Sequence, residues 1–136
     1  MIVTIAVIAL ILCTGGYFIK DIYFPSRKTD RQRTLQRYKK VQDLSLELQG
    51  ILTNYIFSEN TAQDIITEGI TYSAYLDKLE KGHEKCLSDY GYNKLKYGCG
   101  STYRQKIKRD LAVQAKELNI AKKHILPLQK QKSLAY

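Results

Sequence analysis

The fold is decided by residues 101–128, which read STYRQKIKRDLAVQAKELNIAKKHILPL. Side chains that can be buried recur here at alternating spacings of four and three, which places them on one face of an α-helix. The repeat consists of Ile107, Leu111, Gln114, Leu118, Ala121, Ile125 and Leu128. Thr102 and Gln105 have the spacing of a capping box, and Pro127 disfavours continuation of the helix. We therefore predict a helix that begins near Thr102 and ends near Leu126.

Two more helices are predicted before this one. The first covers about residues 31–57, where an apolar stripe follows the same helical spacing. The stripe consists of Val41, Leu44, Leu48, Ile51 and Tyr55, flanked by Tyr38, Leu52 and Ile56. The second begins after a cap at Thr61 and Asp64 and stops at Gly82. Gly69 is a position where this helix could break or kink.

No period-two pattern of useful length indicates a strand, and residues 82–101, rich in Tyr, Gly and Lys, are predicted to form a loop. The acidic middle helix is expected to pack antiparallel against the basic third helix, with their apolar stripes facing each other. The predicted fold class is therefore all-α, with a small helical bundle or helical hairpin of about three helices after an N-terminal transmembrane helix.

The N-terminal segment reads as a membrane span. Residues 2–19 contain no charged side chain, and a helix of this length extends roughly 27 Å, close to the thickness of a hydrocarbon core of about 30 Å. A cleaved signal peptide, with cleavage near Gly16, is the alternative. Signal peptides normally carry a Lys or Arg before the apolar run, and none is present here. The run is also longer than a usual signal-peptide apolar region, so a retained anchor is favoured.

The predicted organisation is a transmembrane anchor (1–24), a basic juxtamembrane segment (25–40), a helical domain (41–128) and a flexible basic tail (129–136). The juxtamembrane cluster consists of Arg27, Lys28, Arg31, Arg33, Arg37, Lys39 and Lys40. By the positive-inside rule, this excess of basic residues predicts that the C-terminal domain lies in the cytoplasm. Attraction to lipid headgroups is a second use of the same residues.

Composition and charge narrow the function classes. The chain has 136 residues with 22 Lys and Arg against 13 Asp and Glu, a net charge of +9. That length holds one small domain, which excludes a large enzyme, and the positive charge suits an anionic partner. Residues 41–82 are acidic and residues 83–136 are basic, so the charge is segregated along the chain.

The cysteines bear on which side of the membrane the helical domain lies. Cys86 and Cys99 flank the predicted loop, and a disulfide between them would imply an extracytoplasmic domain. Two unlinked thiols are the alternative. With His83 and His124 the same residues make a weak metal set that lacks the paired spacing of zinc sites. We predict no metal, no cofactor and no catalytic residue, because a lone His three residues before a Cys is no dyad motif.

A contact surface is predicted where lysine and arginine alternate with tyrosine. Its members are Tyr90, Tyr92, Lys94, Lys96, Tyr97, Tyr103, Arg104 and Lys108. This composition suits an acidic protein surface or a solvated rim, and its combination of charge with stacking also suits single-stranded nucleic acid. No nucleic-acid-binding module matches, so nucleic acid is the least favoured partner.

The resulting functional prediction is a non-enzymatic single-pass membrane protein whose helical domain is an interaction or scaffolding module, with membrane lipid and a protein partner or homo-oligomer as its contacts. One alternative is an extracytoplasmic envelope component of the phage-lysis kind with a Cys86–Cys99 disulfide. In layout, with an N-terminal span, charged helices and a few cysteines, the chain resembles inner-membrane spanins, although no motif is shared. The other alternative is a membrane-tethered nucleic-acid binder.

Overall fold

The computed structural model describes residues 27–133, with side chains described for residues 30–130. Its elements, in chain order, are α1 (Arg27–Glu59), β1 (Ile65–Thr67), β2 (Ile70–Thr71), α2 (Tyr72–Cys86), α3 (Asp89–Tyr97) and α4 (Ser101–Ser133). The bundle belongs to the compact unit that begins at Thr34. The predicted small, mostly helical bundle is confirmed.

Among residues 27–133, no helix is both long enough and apolar enough to cross a membrane. The predicted transmembrane segment and its signal-peptide alternative lie outside the described residues. They therefore stay predictions.

Helix α2 runs antiparallel to α1. At one end of α2, His83 Nδ1 lies 3.1 Å from the Ser45 hydroxyl of α1. At the other end, the Tyr72 ring lies 5.4 Å from the ring of Tyr55. The residue number rises along α1 as it falls along α2, so the two helices point in opposite directions.

Helix α2 is also antiparallel to α4, as predicted for the acidic and basic helices. The Tyr75 ring contacts the His124 ring edge-on at 6.4 Å. Further along, Gly82 faces Gln114, because a Cβ at Gly82 would lie 3.2 Å from the Gln114 side-chain oxygen. Since α2 opposes both long helices, α1 and α4 run parallel to each other.

The core stripe of α4 agrees with the predicted repeat. Its apolar members are all buried: Ile107, Leu111, Leu118, Ala121, Ile125 and Leu128. The predicted end of the helix at Leu126 is wrong, because α4 contains Pro127 and continues to Ser133. A proline inside a helix removes one backbone hydrogen bond, and the rest of the α4 ladder continues around that gap.

The core stripe of α1 is rotated from the predicted one. Tyr38, Val41, Leu48 and Leu52 are buried together with Gln42 and Ser45, whereas the predicted Leu44, Ile51 and Tyr55 are only half-buried. The rotation has a physical cause, because Gln42 and Ser45 bind polar groups of α2 and of the turn after it. Apolar periodicity alone does not report such contacts.

A β-hairpin replaces the predicted start of the second helix. Strands β1 and β2 pair antiparallel, with Ile65 opposite Thr71 and Thr67 opposite Ile70. Glu68 and Gly69 both have positive φ, of 43° and 76°, the combination found in type I′ turns. The helix is capped ten residues later than predicted, by the Thr71 hydroxyl, which accepts a hydrogen bond from the backbone N–H of Ala74.

The end of α1 uses a standard stop signal. Asn60 has φ of 52°, and the backbone N–H of Thr61 donates to the carbonyl of Ile56 at 3.4 Å. This is the long hydrogen bond of a Schellman motif, which satisfies a carbonyl that the helix leaves open. Thr61 therefore ends one helix, where a cap for the next was predicted.

Candidate interaction surface

Helix α3 occupies the region that was predicted to be a loop, and it carries five of the eight residues of the predicted contact surface. Ser88 caps it, since its hydroxyl accepts a hydrogen bond from the backbone N–H of Gly91 at 3.3 Å. Asp89 stands in the first turn, where a negative charge is stabilised by the helix dipole. Gly98, with φ of 118°, ends α3 and turns the chain into α4.

Lys94 is the centre of this surface. Its ammonium lies 4.3 Å from the ring centre of Tyr103 on α4 and 5.6 Å from that of Tyr90 on α3. Tyr90 and Lys94 are one helical turn apart, so they share a face of α3. Contact with two aromatic faces holds the cation in place while its N–H donors remain available to a partner.

A second aromatic and basic pair extends the surface. The Lys96 ammonium lies 5.3 Å from the ring centre of Tyr97. Tyr97 is 78% exposed and Tyr90 is 71% exposed. Tyrosine exposed to this degree supplies a large apolar area with a polar end, the composition found at protein interfaces.

The remaining predicted members are placed elsewhere. Tyr92 is half-buried and packs its ring 5.7 Å from the ring of Tyr38, so it supports the core. Lys108 and Arg104 are half-buried on α4. The Arg104 Nε is buried without a hydrogen-bond partner among the described residues. We use the name tyrosine–lysine surface for Tyr90, Lys94, Lys96, Tyr97 and Tyr103.

A buried polar junction holds α3 in position, and sequence reasoning missed it. The Gln42 side-chain amide donates to the Leu87 carbonyl at 2.9 Å and to the Asp89 carboxylate at 2.8 Å. Gln42 is only 4% exposed. Because both acceptors lie at the α2–α3 turn, this one side chain fixes the turn to α1. The sequence signal that could have indicated this junction is a glutamine next to the apolar stripe of a helix.

Tyr38 forms the second half of this junction. It is 1% exposed, and its hydroxyl donates to the Ser88 carbonyl at 2.9 Å. Burial raises the pKa of the Tyr38 phenol to about 12, so the donor stays protonated. Gly91 permits this contact, because a Cβ there would lie 2.7 Å from the Tyr38 oxygen.

A cavity of about 110 Å³ lies beside Tyr38 and is lined by Cys86, Lys106 and Asp110 among others. Burial, and then the charge of Asp110, raise the pKa of the Cys86 thiol. A raised pKa reduces the thiolate fraction, so Cys86 is poorly suited to act as a nucleophile.

His83 is a structural residue in this arrangement. Its ring forms a hydrogen bond with the Ser45 hydroxyl. Burial lowers the pKa of the His83 imidazole, while the negative charges of Asp89 and Glu84 act in the opposite direction. His124, the other histidine, packs on Tyr75. Within residues 30–130, no three side chains of metal-ligating type come together.

Cys86 and Cys99 are both half-buried, and their thiols are free in the structure. Both pack against the same hydrophobic core, one at the end of α2 and the other just before α4. A disulfide between them stays a prediction.

The predicted juxtamembrane cluster lies on α1. Arg33, Arg37, Lys39 and Lys40 are exposed and Arg31 is half-buried, while the side chains of Arg27 and Lys28 lie outside those described. Lys39 forms an ion pair with Asp43 at 3.2 Å, one helical turn away. Exposed pairs of this type stabilise a helix by only about 0.3–0.5 kcal/mol, so this pair adds little to the stability of α1.

No protein-family model matches the chain, and neither a curated protein nor a solved structure matches it.

Proposed function

We propose that the chain is a non-enzymatic single-pass membrane protein whose helical bundle is an interaction module, with the tyrosine–lysine surface as its contact site for an acidic protein partner. The observation that carries the proposal is Lys94, held between the rings of Tyr90 and Tyr103 on an exposed surface. A cation that aromatic rings hold in place loses little side-chain entropy when it meets a carboxylate.

Two features support this contact site. Residues 83–136 contain 12 basic and 4 acidic residues, which suits an acidic partner. The junction through Gln42 and Tyr38 fixes α3, so the surface is preorganised.

The membrane part of the proposal rests on the sequence. Residues 2–19 are uncharged and long enough to span a bilayer, and the basic cluster that follows favours a cytoplasmic bundle. In this arrangement the anchor raises the local concentration of the bundle near a partner at the same membrane.

A photo-crosslinking amino acid at position 97 of the full chain, expressed in membranes, tests the contact site. The matched control carries it at position 78, which is exposed on α2. We expect a protein adduct from position 97 alone, and its loss in Lys94→Glu, whose thermal midpoint should remain close to that of the unaltered chain. An equal yield from both positions would contradict the proposal, and a nuclease-sensitive adduct would favour the nucleic-acid alternative.

A second candidate function is an extracytoplasmic envelope component. It is favoured by the positions of Cys86 and Cys99, which flank α3 and pack on one core. A bridge there would fix the ends of α3 and stabilise the fold by about 2–4 kcal/mol. Alkylation of cells with a membrane-impermeant maleimide distinguishes the two functions, because only a bridged extracytoplasmic pair would need prior reduction to react.

A further inference from the structure

A line of residues that the bundle does not bury runs along the outer side of α1. Leu46, Gly50, Thr53 and Phe57 follow each other at spacings of four, three and four, so they share one helix face, here named the α1 seam. Leu46 is about half exposed, Thr53 is half-buried and Phe57 is 83% exposed. No charged residue lies on the seam, and acidic Glu47 borders it.

Gly50 is the unusual member of this seam. A Cβ built at Gly50 would meet no atom within 4 Å, so nothing packed inside the bundle requires a glycine there. Glycine within a helix lowers stability relative to alanine, and it allows the close approach of another chain. The seam is therefore an apolar line with an open notch.

Helix α4 carries a matching line. Val113, Lys116, Ile120, Lys123 and Pro127 are all exposed at spacings of three, four, three and four, and form the α4 seam. Together the two seams hold Leu46, Phe57, Val113 and Ile120, four of the seven large hydrophobic side chains that are exposed among residues 30–130. The bundle leaves both lines uncovered.

Residues of the two seams lie at matching levels along the bundle axis. His83 bonds Ser45 and its neighbour Gly82 faces Gln114, so Ser45 and Gln114 lie at one level of the bundle. At the other end, the Tyr72 and Tyr75 rings place Tyr55 near the level of residue 127.

Interpolation between these two levels brings Gly50 to the height of Ile120. The same interpolation brings Glu47 to the height of Lys116. Neither Glu47 nor Lys116 takes part in an ion pair among the described residues.

We propose that a second copy of this chain docks the α4 seam onto the α1 seam, with Ile120 entering the notch at Gly50 and Lys116 meeting Glu47. Parallel α1 and α4 allow this when the two copies stand side by side in the same direction. The contact is heterologous, since each copy uses one seam and offers the other. It involves different residues from the tyrosine–lysine surface and does not depend on the proposed function.

The first test uses sedimentation of the full chain in a mild detergent at several concentrations. Gly50→Gln fills the notch without a clash inside the bundle, so we expect a higher thermal midpoint together with a dissociation constant raised by about tenfold or more. Ala74→Gln, at an exposed site on α2, is the control and should leave association unchanged. A chain that stays monomeric at all concentrations, or a Gly50→Gln variant that associates normally, would overturn the proposal.

The second test identifies the pairing. Glu47→Lys and Lys116→Glu should each weaken self-association by about tenfold, because each brings like charges together. An equal mixture of the two variants should associate again, since the lysine introduced at position 47 of one copy then meets the glutamate introduced at position 116 of the other. If the mixture remains dissociated, or if Glu47→Lys alone strengthens association as an α1–α1 contact would, the heterologous contact is wrong.

Discussion

Gly91→Ala should destabilise the bundle because it forces a methyl group against Tyr38. The added Cβ would lie 2.7 Å from the Tyr38 oxygen and 3.6 Å from the ring carbon that carries it. A flexible surface side chain would move aside at little cost. Tyr38 is 1% exposed and donates to the Ser88 carbonyl, so its displacement disturbs both the core and the α2–α3 turn.

Two opposing terms set the magnitude. Overpacking a buried site costs about 1–3 kcal/mol, whereas replacing glycine by alanine inside a helix gains about 0.5–1 kcal/mol. The net loss should be about 1 kcal/mol, equivalent to a fall of about 4–8 °C in the thermal midpoint of a domain this size. Tyr38→Phe removes the oxygen that the new methyl group would contact. In that background Gly91→Ala should stabilise the fold, because only the gain from alanine in a helix remains.

The assay is thermal unfolding of the full chain in detergent, followed by circular dichroism at 222 nm, for the two single variants and the double variant. Tyr38→Phe alone should cost about 0.5–1.5 kcal/mol for its hydrogen bond, and the Ser88 carbonyl keeps the backbone N–H of Tyr92 as a donor. Gly91→Ala should be destabilising with Tyr38 present and stabilising with Phe at position 38. Equal effects of Gly91→Ala in both backgrounds would refute the contact.

Three further outcomes follow from the same junction, from the hairpin and from the contact between His83 and Ser45. Gln42→Leu should cost about 1–3 kcal/mol, because it leaves the buried Leu87 carbonyl without its donor, and an unchanged midpoint would exclude that role. Gly69→Ala should cost about 1 kcal/mol, because φ of 76° disfavours a Cβ, and this is measured by the same unfolding assay. Burial lowers the pKa of His83 below its ordinary 6.5, so the unfolded chain binds the proton first as pH falls. Stability should therefore decline from about pH 6.5 downward, and His83→Gln should flatten that part of the curve; an identical slope in both would contradict it.

The long helices were predictable because their apolar repeats are regular and extend over many turns. In α4, the predicted positions from Ile107 to Leu128 are buried apart from Gln114, which faces Gly82. Helix α1 was predicted in extent but rotated about its axis, because Gln42 and Ser45 enter the core through tertiary hydrogen bonds. A hydrophobic pattern treats such residues as polar and therefore predicts that they face solvent.

The short elements were missed for a different reason. In residues 65–71, β-branched residues stand on both sides of a glycine-containing turn, which is a hairpin signal. An apparent helical stripe through Ile65 and Tyr72 concealed it. Helix α3 has only nine residues, too few for periodicity to be informative, although Ser88 before Asp89 is a capping signal. Short elements depend on caps and on tertiary contacts more than on pattern.

The tyrosine–lysine surface was partly predictable. Alternation of tyrosine and lysine in residues 90–109 identified the region. Of its predicted members, Tyr90 and Tyr103 contact Lys94, while Lys96 and Tyr97 form a second pair. The sequence did not separate these from Tyr92, which turns inward to Tyr38. To tell the exposed tyrosines from the inward-facing Tyr92, one must know which side of α3 faces the core. A region predicted to be a loop gives no such information.

The central claim, an interaction module held at a membrane by residues 2–19, is tested most directly by extraction of membranes with alkaline carbonate. We expect the full chain to remain in the membrane pellet. We expect the double variant Val7→Lys and Leu10→Lys to appear in the supernatant with its helical content retained, since each lysine near the centre of a span costs about 2.5–3.5 kcal/mol. Release of the unaltered chain into the supernatant, or equal retention of both chains, would contradict the account.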